Sequence, residues 1–377
     1  MTLTAAERAL VHKARAFTDE VLVPAAETCE RERRAHPEAL RLAAEAGFAG
    51  IQVPQAQGGL GLSFACKSEI AEQFARACFG FSMAILNTHN TAWRLARLTD
   101  NPLAQSRVGP MLRGEATGCA ALTEPGAGSD FAAIRTTARL RDDGSWVLNG
   151  EKAWITNAQH ASTSICFAQT GEIGDASGIA AFLVQAERPG FSRVAGSGTW
   201  GIFANGVGGY RLENYEAPPE AVISQPGTAF KQILTEINGA RIYVAAMCLG
   251  MVDAGLDSAA AHGRSRPLFG AALEAKQGWR WRLAAAEAEL AAARALVRQA
   301  EAAHSAGEDT QLIAAQAKYV GIQLANRWVP ELLHAHGASG LGERSMFARH
   351  MAGMQAASFA DGSTEIMLER IGRLSGR

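Results

Sequence analysis

The sequence predicts an α+β fold that is mostly α. We expect an N-terminal helical domain (residues 1–117), a small central β domain (118–226) and a C-terminal four-helix-bundle domain (227–377). Apolar residues recur at helical spacing on both sides of a central zone, and this zone is rich in glycine and in short strand-like runs. The length of 377 residues also suffices for two or three domains, each with its own core.

The N-terminal zone carries the first helical pattern. Ala14, Phe17 and Val21 follow one another at spacings of three and four residues. Side chains at these spacings share one face of a helix, so they can be buried together. A glycine-rich stretch at residues 58–61 predicts a loop between helical segments. This zone is therefore interpreted as several helices.

The central zone has the texture of a β domain. Residues 136–140 and 145–148 are rich in strand-forming residues and flank the turn sequence Asp142-Asp143-Gly144, which is typical of a hairpin. Residues 180–184 and 210–212 are predicted as further strands. Helical patterns return after residue 230.

The C-terminal zone shows a seven-residue repeat. Leu283, Leu290 and Val297 are seven residues apart, and alanines lie at the seam positions between them. Large residues alternating with alanine allow helices to pack closely, as in a bundle. A coiled-coil partner would also explain the repeat, but an internal bundle core is the commoner explanation.

Composition excludes several classes of protein. Lys plus Arg (36) nearly equals Asp plus Glu (37), so the net charge of −1 gives no support to a nucleic-acid-binding or polybasic membrane-surface protein. Hydrophobic residues at 48% exclude wholesale disorder. The N-terminus lacks a secretory signal pattern, and the uncharged runs are too polar for a membrane span, so we expect a cytoplasmic protein. Six cysteines without CxxC spacing predict reduced thiols and no metal site.

Two clusters could carry chemistry. Residues 122–130 form a Gly-Ser-rich loop whose backbone N–H groups could face an anion, although an ordinary turn has the same composition. Residues 149–158 contain Trp154 and Thr156, which would share one face of a strand. A flat heterocycle could then stack on Trp154 while Thr156 bonds to its edge; the alternative is a half-buried core tryptophan.

The two clusters, in this order and separation, resemble the acyl-CoA dehydrogenase family of flavoproteins, and the resemblance covers essentially the whole chain. Several further motifs match in register. They are Val53-Pro54 with the glycine loop at 58–61, Arg266-Pro267-Leu268-Phe269-Gly270 with Gln277, His336-Gly337-Ala338-Ser339-Gly340, and Asp361-Gly362-Ser363-Thr364-Glu365-Ile366.

The resemblance implies that FAD binds between the β domain and the C-terminal bundle. The backbone of Leu122 and Thr123 would contact the flavin ring, and Ser129 would contact the pyrophosphate. Trp154 would lie on the ring face and Thr156 at its edge. These residues are the expected cofactor site of one subunit.

The resemblance also implies that a second subunit completes the cofactor site, as a homodimer or homotetramer. Arg266, Phe269 and Gln277 would reach the FAD of the neighbouring subunit, where the planar guanidinium can bind a pyrophosphate through two bonds. His334 and Gly337 would lie near the same pyrophosphate, His334 at a position usually held by glutamine. Further cofactor contacts would come from Ser363 and Glu365, and substrate contacts from Thr91, Ser129, Arg241 and Gly362.

The implied reaction is α,β-dehydrogenation of an acyl thioester, carried on CoA or on an acyl-carrier protein. Asp361 would remove the proton, and an electron-transfer flavoprotein would receive the electrons. The family has glutamate at this position, and aspartate draws the carboxylate back by about 1.5 Å. Some relatives instead place the base before the residue that matches Arg241, but that residue is Ala240 here. Ala352 and Gly353 replace the family's Arg-Asp pair.

Two alternatives stay open. Nitroalkane oxidases, a branch of the same superfamily, have aspartate at the position of Asp361, so a flavin oxidase of that type is the second hypothesis. A degenerate homologue that binds FAD or an acyl ligand without turnover is the third. His89 and Trp93 fall near the expected acyl pocket, although a surface or capping histidine and a core tryptophan are the simpler interpretations.

Overall fold

The computed structural model describes residues 3–194, 199–342 and 345–376, and it confirms the predicted fold class: helices, then a sheet, then helices. Six α-helices precede the sheet in the described chain. They are α1 (Ala5–Phe17), α2 (Val23–Glu32), α3 (Pro37–Glu45), α4 (Phe64–Ala75), α5 (Phe79–Ala96) and α6 (Pro102–Leu112).

The N-terminal helices begin at side chains that cap them. Thr4 and Glu7 form a reciprocal capping box at α1. The Ser63 hydroxyl accepts from the Cys66 N–H at the start of α4, and the Glu7 carboxylate accepts from the Ser63 N–H at 2.9 Å. One buried glutamate therefore connects the starts of two helices. Helix α5 is buried along most of its length.

The central sheet has eight strands within the described residues. Their order is β6-β7-β3-β2-β4-β5-β8, with β1 parallel to β4. The predicted hairpin is confirmed, because β2 pairs antiparallel with β3 from Thr137 opposite Asn149. The strands are β1 (Gly118–Ala121), β2 (Thr137–Leu140), β3 (Trp146–Ile155), β4 (Thr163–Gln169), β5 (Ile179–Gln185), β6 (Phe191–Val194), β7 (Gly208–Ala217) and β8 (Val222–Ser224).

The C-terminal part contains three long helices and two shorter ones. Leu290 and Val297 are buried in one large core with the alanines between them, so the seven-residue repeat packs inside the bundle. The elements are α7 (Ala229–Ser265), the short hairpin β9 (Pro267–Leu268) and β10 (Ala271–Ala272), α8 (Gln277–Ser305), α9 (Gln311–Ala335), α10 (Phe347–Phe359) and α11 (Thr364–Leu374).

Helix α7 is long and apolar enough to cross a membrane by length and composition alone. However, 67% of its most apolar window is buried inside the protein, as in the core helix of a packed domain. In the sequence, Glu236, Asn238 and Arg241 interrupt its first turns, which obscures the apolar character of the helix. The helix forms the centre of the largest hydrophobic core.

Candidate active site

All three parts of the chain line one large cavity of about 1640 Å³. This volume exceeds that of a site for one drug-sized molecule, so it can hold a cofactor and a substrate side by side. Most of the predicted site residues line it. They are Leu122, Thr123, Ser129, Trp154, Thr156, Arg241, Asp361, Gly362 and Ser363.

A β-bulge near the end of β3 presents the tryptophan. The pairing of β3 with β7 shifts register between Lys152 and Ile155, and Trp154 has φ = +60°. The Trp154 side chain is 60% exposed, whereas Thr156, just beyond the strand, is 9% exposed. Both residues line the cavity. The rule that residues two apart on a strand point the same way does not account for this, because the bulge interrupts the regular strand at Trp154.

A buried ion pair holds the loop at residues 122–136 against β3. The Lys152 ammonium lies 2.8 Å from the Glu124 carboxylate and also donates to the Leu122 carbonyl at 3.1 Å. The same carboxylate accepts from the N–H groups of Arg135 and Thr136. Burial alone raises the pKa of Glu124, but Lys152 and these hydrogen bonds outweigh it and keep the pKa below its usual value. The loop beside the cavity is therefore fixed by charge.

The Asp361 segment is held from two sides. Asp361 has φ = +52° and lies between α10 and α11. The buried Arg241 donates to the Asp361 carbonyl at 3.1 Å and to Asn238 at 2.8 Å. The Lys318 ammonium, reaching from α9, donates to the carbonyls of Ala360 and Gly362. The backbone on both sides of Asp361 is therefore bonded to buried cations, and Asp361 itself lines the cavity.

Burial and the neighbouring positive charges act in opposite directions on the pKa of Asp361. Burial raises the pKa of the Asp361 carboxyl above its usual value, and the positive charges of Lys318 and Arg241 counter part of this increase. Burial also lowers the pKa of Lys318 to about 8 and that of Arg241 to about 10. A carboxyl with a raised pKa on a cavity wall is suited to act as a general base. A capping or turn aspartate is the alternative interpretation of Asp361: Ser363, not Asp361, caps α11, whereas Asp361 does lie in the turn before that helix.

A second set of predicted cofactor residues lies outside the cavity, exposed at one end of the bundle. Arg266 caps the end of α7, directly before the β9–β10 hairpin in which the Phe269 side chain is 91% exposed, and Gln277 begins α8. Exposed His334 and Gly337 lie at the end of α9. The His262 and His336 rings, 4.9 Å apart, connect this end of α9 to α7. Glu365, in the first turn of α11, is also exposed and does not line the cavity.

The structure does not bring Thr91 to the cavity, which corrects its prediction as a substrate contact. Thr91 is buried, its hydroxyl donates to the Asn87 carbonyl at 2.9 Å, and it packs against Gly118. His89 is neither a surface nor a capping residue: it is fully buried, and its Nδ1 lies 3.1 Å from the Ala49 carbonyl. Trp93 lines the cavity and also packs, partly buried, against one of the hydrophobic cores.

Several cavity residues were not predicted from the sequence. Lys67, Asn87, Asn90 and Tyr243 all line the cavity, and helical spacing from Asn87 to Asn90 could have indicated the two asparagines. Nothing local marks Lys67 as buried. Within the described residues, no group of three or more His, Cys, Asp or Glu side chains could hold a metal ion, and the six cysteines are buried free thiols.

The replacement of the family's Arg-Asp pair has a packing explanation at one of its two positions. A Cβ atom added to Gly353 would lie 2.8 Å from the Cβ of Phe79 and 3.0 Å from the sulfur of Met251. Contacts this close would force α10 away from α5 and α7. A side chain at position 353 is therefore incompatible with the present packing, whereas Ala352 lines the cavity.

Comparison with known proteins identifies the family. Three domain models match in sequence order: acyl-CoA dehydrogenase N-terminal domain (residues 4–115), middle domain (119–215) and C-terminal domain (227–375). The mitochondrial short-chain specific acyl-CoA dehydrogenase of Bos taurus is 30% identical over 354 residues, which cover 93% of this chain and 85% of that protein.

Comparison with solved structures supports the same family. Butyryl-CoA dehydrogenase from Megasphaera elsdenii superposes with a TM-score of 0.93 at 27% identity, with 100% of both chains covered. A chain solved in a study of the electron transferring flavoprotein of Acidaminococcus fermentans has a TM-score of 0.93 at 26% identity, covering 100% of this chain and 99% of that one. The chain described here therefore belongs to the acyl-CoA dehydrogenase family.

Proposed function

We propose that this protein catalyses the FAD-dependent α,β-dehydrogenation of an acyl-CoA thioester, with Asp361 as the base. One observation carries most of the weight: Asp361 lines the same cavity as Trp154 and Thr156, so a carboxylate and a stacking surface meet around one space. The family assignment supports the same reaction.

The residues of the cavity fit FAD. Trp154 offers an exposed indole, and aromatic faces stack favourably on flat rings. Gly128 lines the cavity, and a Cβ atom added there would meet nothing within 4 Å, so there is space for a ligand against the loop backbone. Bound FAD would supply the acceptor for the hydride that leaves the β carbon of the substrate.

The protein itself supplies the base and its position. The Asp361 carboxylate takes the proton from the carbon next to the thioester carbonyl, and the backbone N–H of residue 361 serves as a donor to that carbonyl. Lys318 and Arg241 keep the segment from shifting, because each donates to a backbone carbonyl within residues 360–362. A fixed base matters, since a misplacement of 1 Å can cost about a hundredfold in rate.

The exposed residues of the bundle support a site shared between subunits. Arg266, Phe269 and Gln277 would contact the FAD of a neighbouring copy, and His334 and Gly337 would lie beside its pyrophosphate. The 91% exposure of Phe269 leaves its ring available for such a contact. A site shared in this way requires a homodimer or homotetramer. The proposed electron acceptor is an electron-transfer flavoprotein. An acyl-carrier protein is the alternative carrier of the acyl group.

The purified protein is expected to be yellow, with FAD bound. Trp154→Ala should weaken FAD binding about tenfold, because aromatic stacking contributes about 0.5–1.5 kcal/mol beyond the burial of apolar area. Fluorescence titration of the apoprotein with FAD measures the change. Leu140→Ala is the matched control, since Leu140 is 62% exposed in the same domain but does not line the cavity. A colourless protein that ignores added FAD would favour the degenerate homologue.

The rate of flavin reduction is expected to fall as the pH decreases, because the base must be ionised to accept a proton. Burial raises the pKa of Asp361, so the decrease should begin above the usual aspartate pKa of about 3.9. The pH dependence of kcat/KM at a fixed acyl-CoA measures it. A profile that stays flat down to that usual value would contradict the role of Asp361.

A nitroalkane-oxidase-like activity is the second candidate, favoured by one observation: the base is aspartate, which suits a more acidic C–H. Anaerobic titration distinguishes the two activities. If acyl-CoA thioesters bleach the flavin, the dehydrogenase is supported; if only nitroalkanes do so, the oxidase is.

A further inference from the structure

Lys67 is a buried cation on the wall of the cavity. It lies on α4 and is only 5% exposed, and its ammonium is 3.3 Å from the Oδ1 atom of Asn90. Three aromatic rings surround the ammonium, at 4.9 Å for Phe64, 5.4 Å for Tyr243 and 6.0 Å for Trp93. These rings and one amide oxygen compensate only part of the cost of removing an ammonium from water.

The counter-charge for Lys67 is incomplete. In the described ranges 3–194, 199–342 and 345–376, no carboxylate lies within 4 Å of its ammonium. The carboxylate that raises its pKa belongs to Glu236, but Glu236 is paired with Arg94 at 3.3 Å. Burial dominates and lowers the pKa of Lys67 to about 7. The Nη2 atom of Arg94 is also buried without a hydrogen-bond partner among the described atoms.

This charged region of the wall is connected to the Asp361 region. The Asn90 amide, which accepts from Lys67, also donates to the Tyr243 hydroxyl at 3.1 Å. Burial and then the negative charge of Asp361 raise the pKa of that hydroxyl, so Tyr243 lies within electrostatic range of the base. Lys67, Asn90, Tyr243 and Asp361 all line the one cavity. A substrate whose reacting carbon lies at Asp361 can therefore extend its tail toward Lys67.

We propose that Lys67 binds a carboxylate at the distal end of the acyl chain, so that the preferred substrate class is the ω-carboxyacyl thioesters, which are monothioesters of dicarboxylic acids. This inference deepens the proposed function and depends on it. A carboxylate would supply the missing counter-charge and accept hydrogen bonds from the remaining N–H groups of the ammonium. A purely hydrocarbon tail would supply no counter-charge, and burial would then favour the neutral amine over the ammonium.

Matched pairs of substrates test the proposal on the holoenzyme. Glutaryl-CoA and pentanoyl-CoA have the same number of acyl carbons and the same CoA part, so their ratio reports only the distal group. Rapid mixing without oxygen measures flavin reduction by each. The wild type is expected to prefer glutaryl-CoA by at least about tenfold in kcat/KM.

Lys67→Met is expected to reverse this preference. The methionine keeps much of the side-chain volume but removes the charge, so kcat/KM for glutaryl-CoA should fall about 100-fold while that for pentanoyl-CoA rises. Lys67→Arg keeps the charge and should retain the preference for the carboxylate. An equal decrease on both substrates, or a wild type that favours pentanoyl-CoA, would overturn the proposal.

Equilibrium binding separates this inference from the proposed reaction. In the Asp361→Asn variant, the change in the FAD absorption spectrum measures the Kd of each thioester without turnover. Tighter binding of glutaryl-CoA that depends on Lys67 would support the Lys67 site. This would hold even if no acyl-CoA reduced the wild-type flavin, because the absence of reduction would refute only the proposed reaction. Equal binding of the two thioesters would refute the Lys67 site.

Discussion

Asp361→Asn is expected to lower the rate of flavin reduction by an acyl-CoA about 10²–10⁴-fold, the usual contribution of a general base. The amide has nearly the shape of the carboxylate but cannot accept the proton. FAD should remain bound, because the contacts of Arg241 and Lys318 are to backbone carbonyls and not to the Asp361 side chain. Anaerobic stopped-flow absorbance gives the rate, and the flavin spectrum gives the FAD content.

Asp361→Glu is the informative companion variant. It restores the family's side chain and extends the carboxylate by about 1.5 Å. Faster reduction by ordinary acyl-CoA thioesters would show that reach limits the wild type, whereas slower reduction would show that the cavity is adapted to the shorter base. Unchanged reduction in Asp361→Asn would remove Asp361 from the mechanism.

Lys152→Met is expected to lower the free energy of unfolding by about 3–5 kcal/mol, which is the usual cost of removing one partner from a buried ion pair. The two side chains are almost fully buried, so Glu124 would lose its compensating charge away from water. The Leu122 carbonyl would lose its donor as well. FAD binding should weaken, since the loop beside the cavity loses its anchor. Urea unfolding followed by circular dichroism measures the stability.

An exposed ion pair on the same sheet serves as the control. Arg211 lies 2.8 Å from Glu151, between the adjacent strands β7 and β3, and its side chain is 49% exposed. Arg211→Met should therefore cost about 1 kcal/mol or less. Similar losses in the two variants would contradict a special contribution from the buried pair.

The helix–sheet–helix order could be predicted because each zone shows its own periodicity. The hairpin at Asp142-Asp143-Gly144 and the repeat from Leu283 to Val297 depend on neighbours in sequence, and both were confirmed. The position of Trp154 was predicted for an incomplete reason: a bulge depends on how β3 pairs with β7, and no pattern within β3 reveals that pairing.

The charged residues of the site were the hardest to predict. Lys67 and Lys318 are buried, although lysine is among the residues most often exposed. Each is buried because of residues that are distant in sequence: Asn90 and Tyr243 around Lys67, and the carbonyls beside Asp361 around Lys318. Thr91 was misplaced because a helix presents only part of its circumference to a cavity, and its neighbours Asn87 and Asn90 occupy that part.

The contact from Lys318 lets α9 fix the position of the Asp361 segment from outside the cavity. The lysine is not part of the cavity wall, yet its ammonium is bonded to the chain on both sides of Asp361, the proposed base. Gly321, one turn along α9, allows this helix to approach the backbone of Ala245 closely. If Asp361 is the base, substrate range can diverge through the lining of α4 and α5, while the interface of α7 with α9 constrains the position of that base.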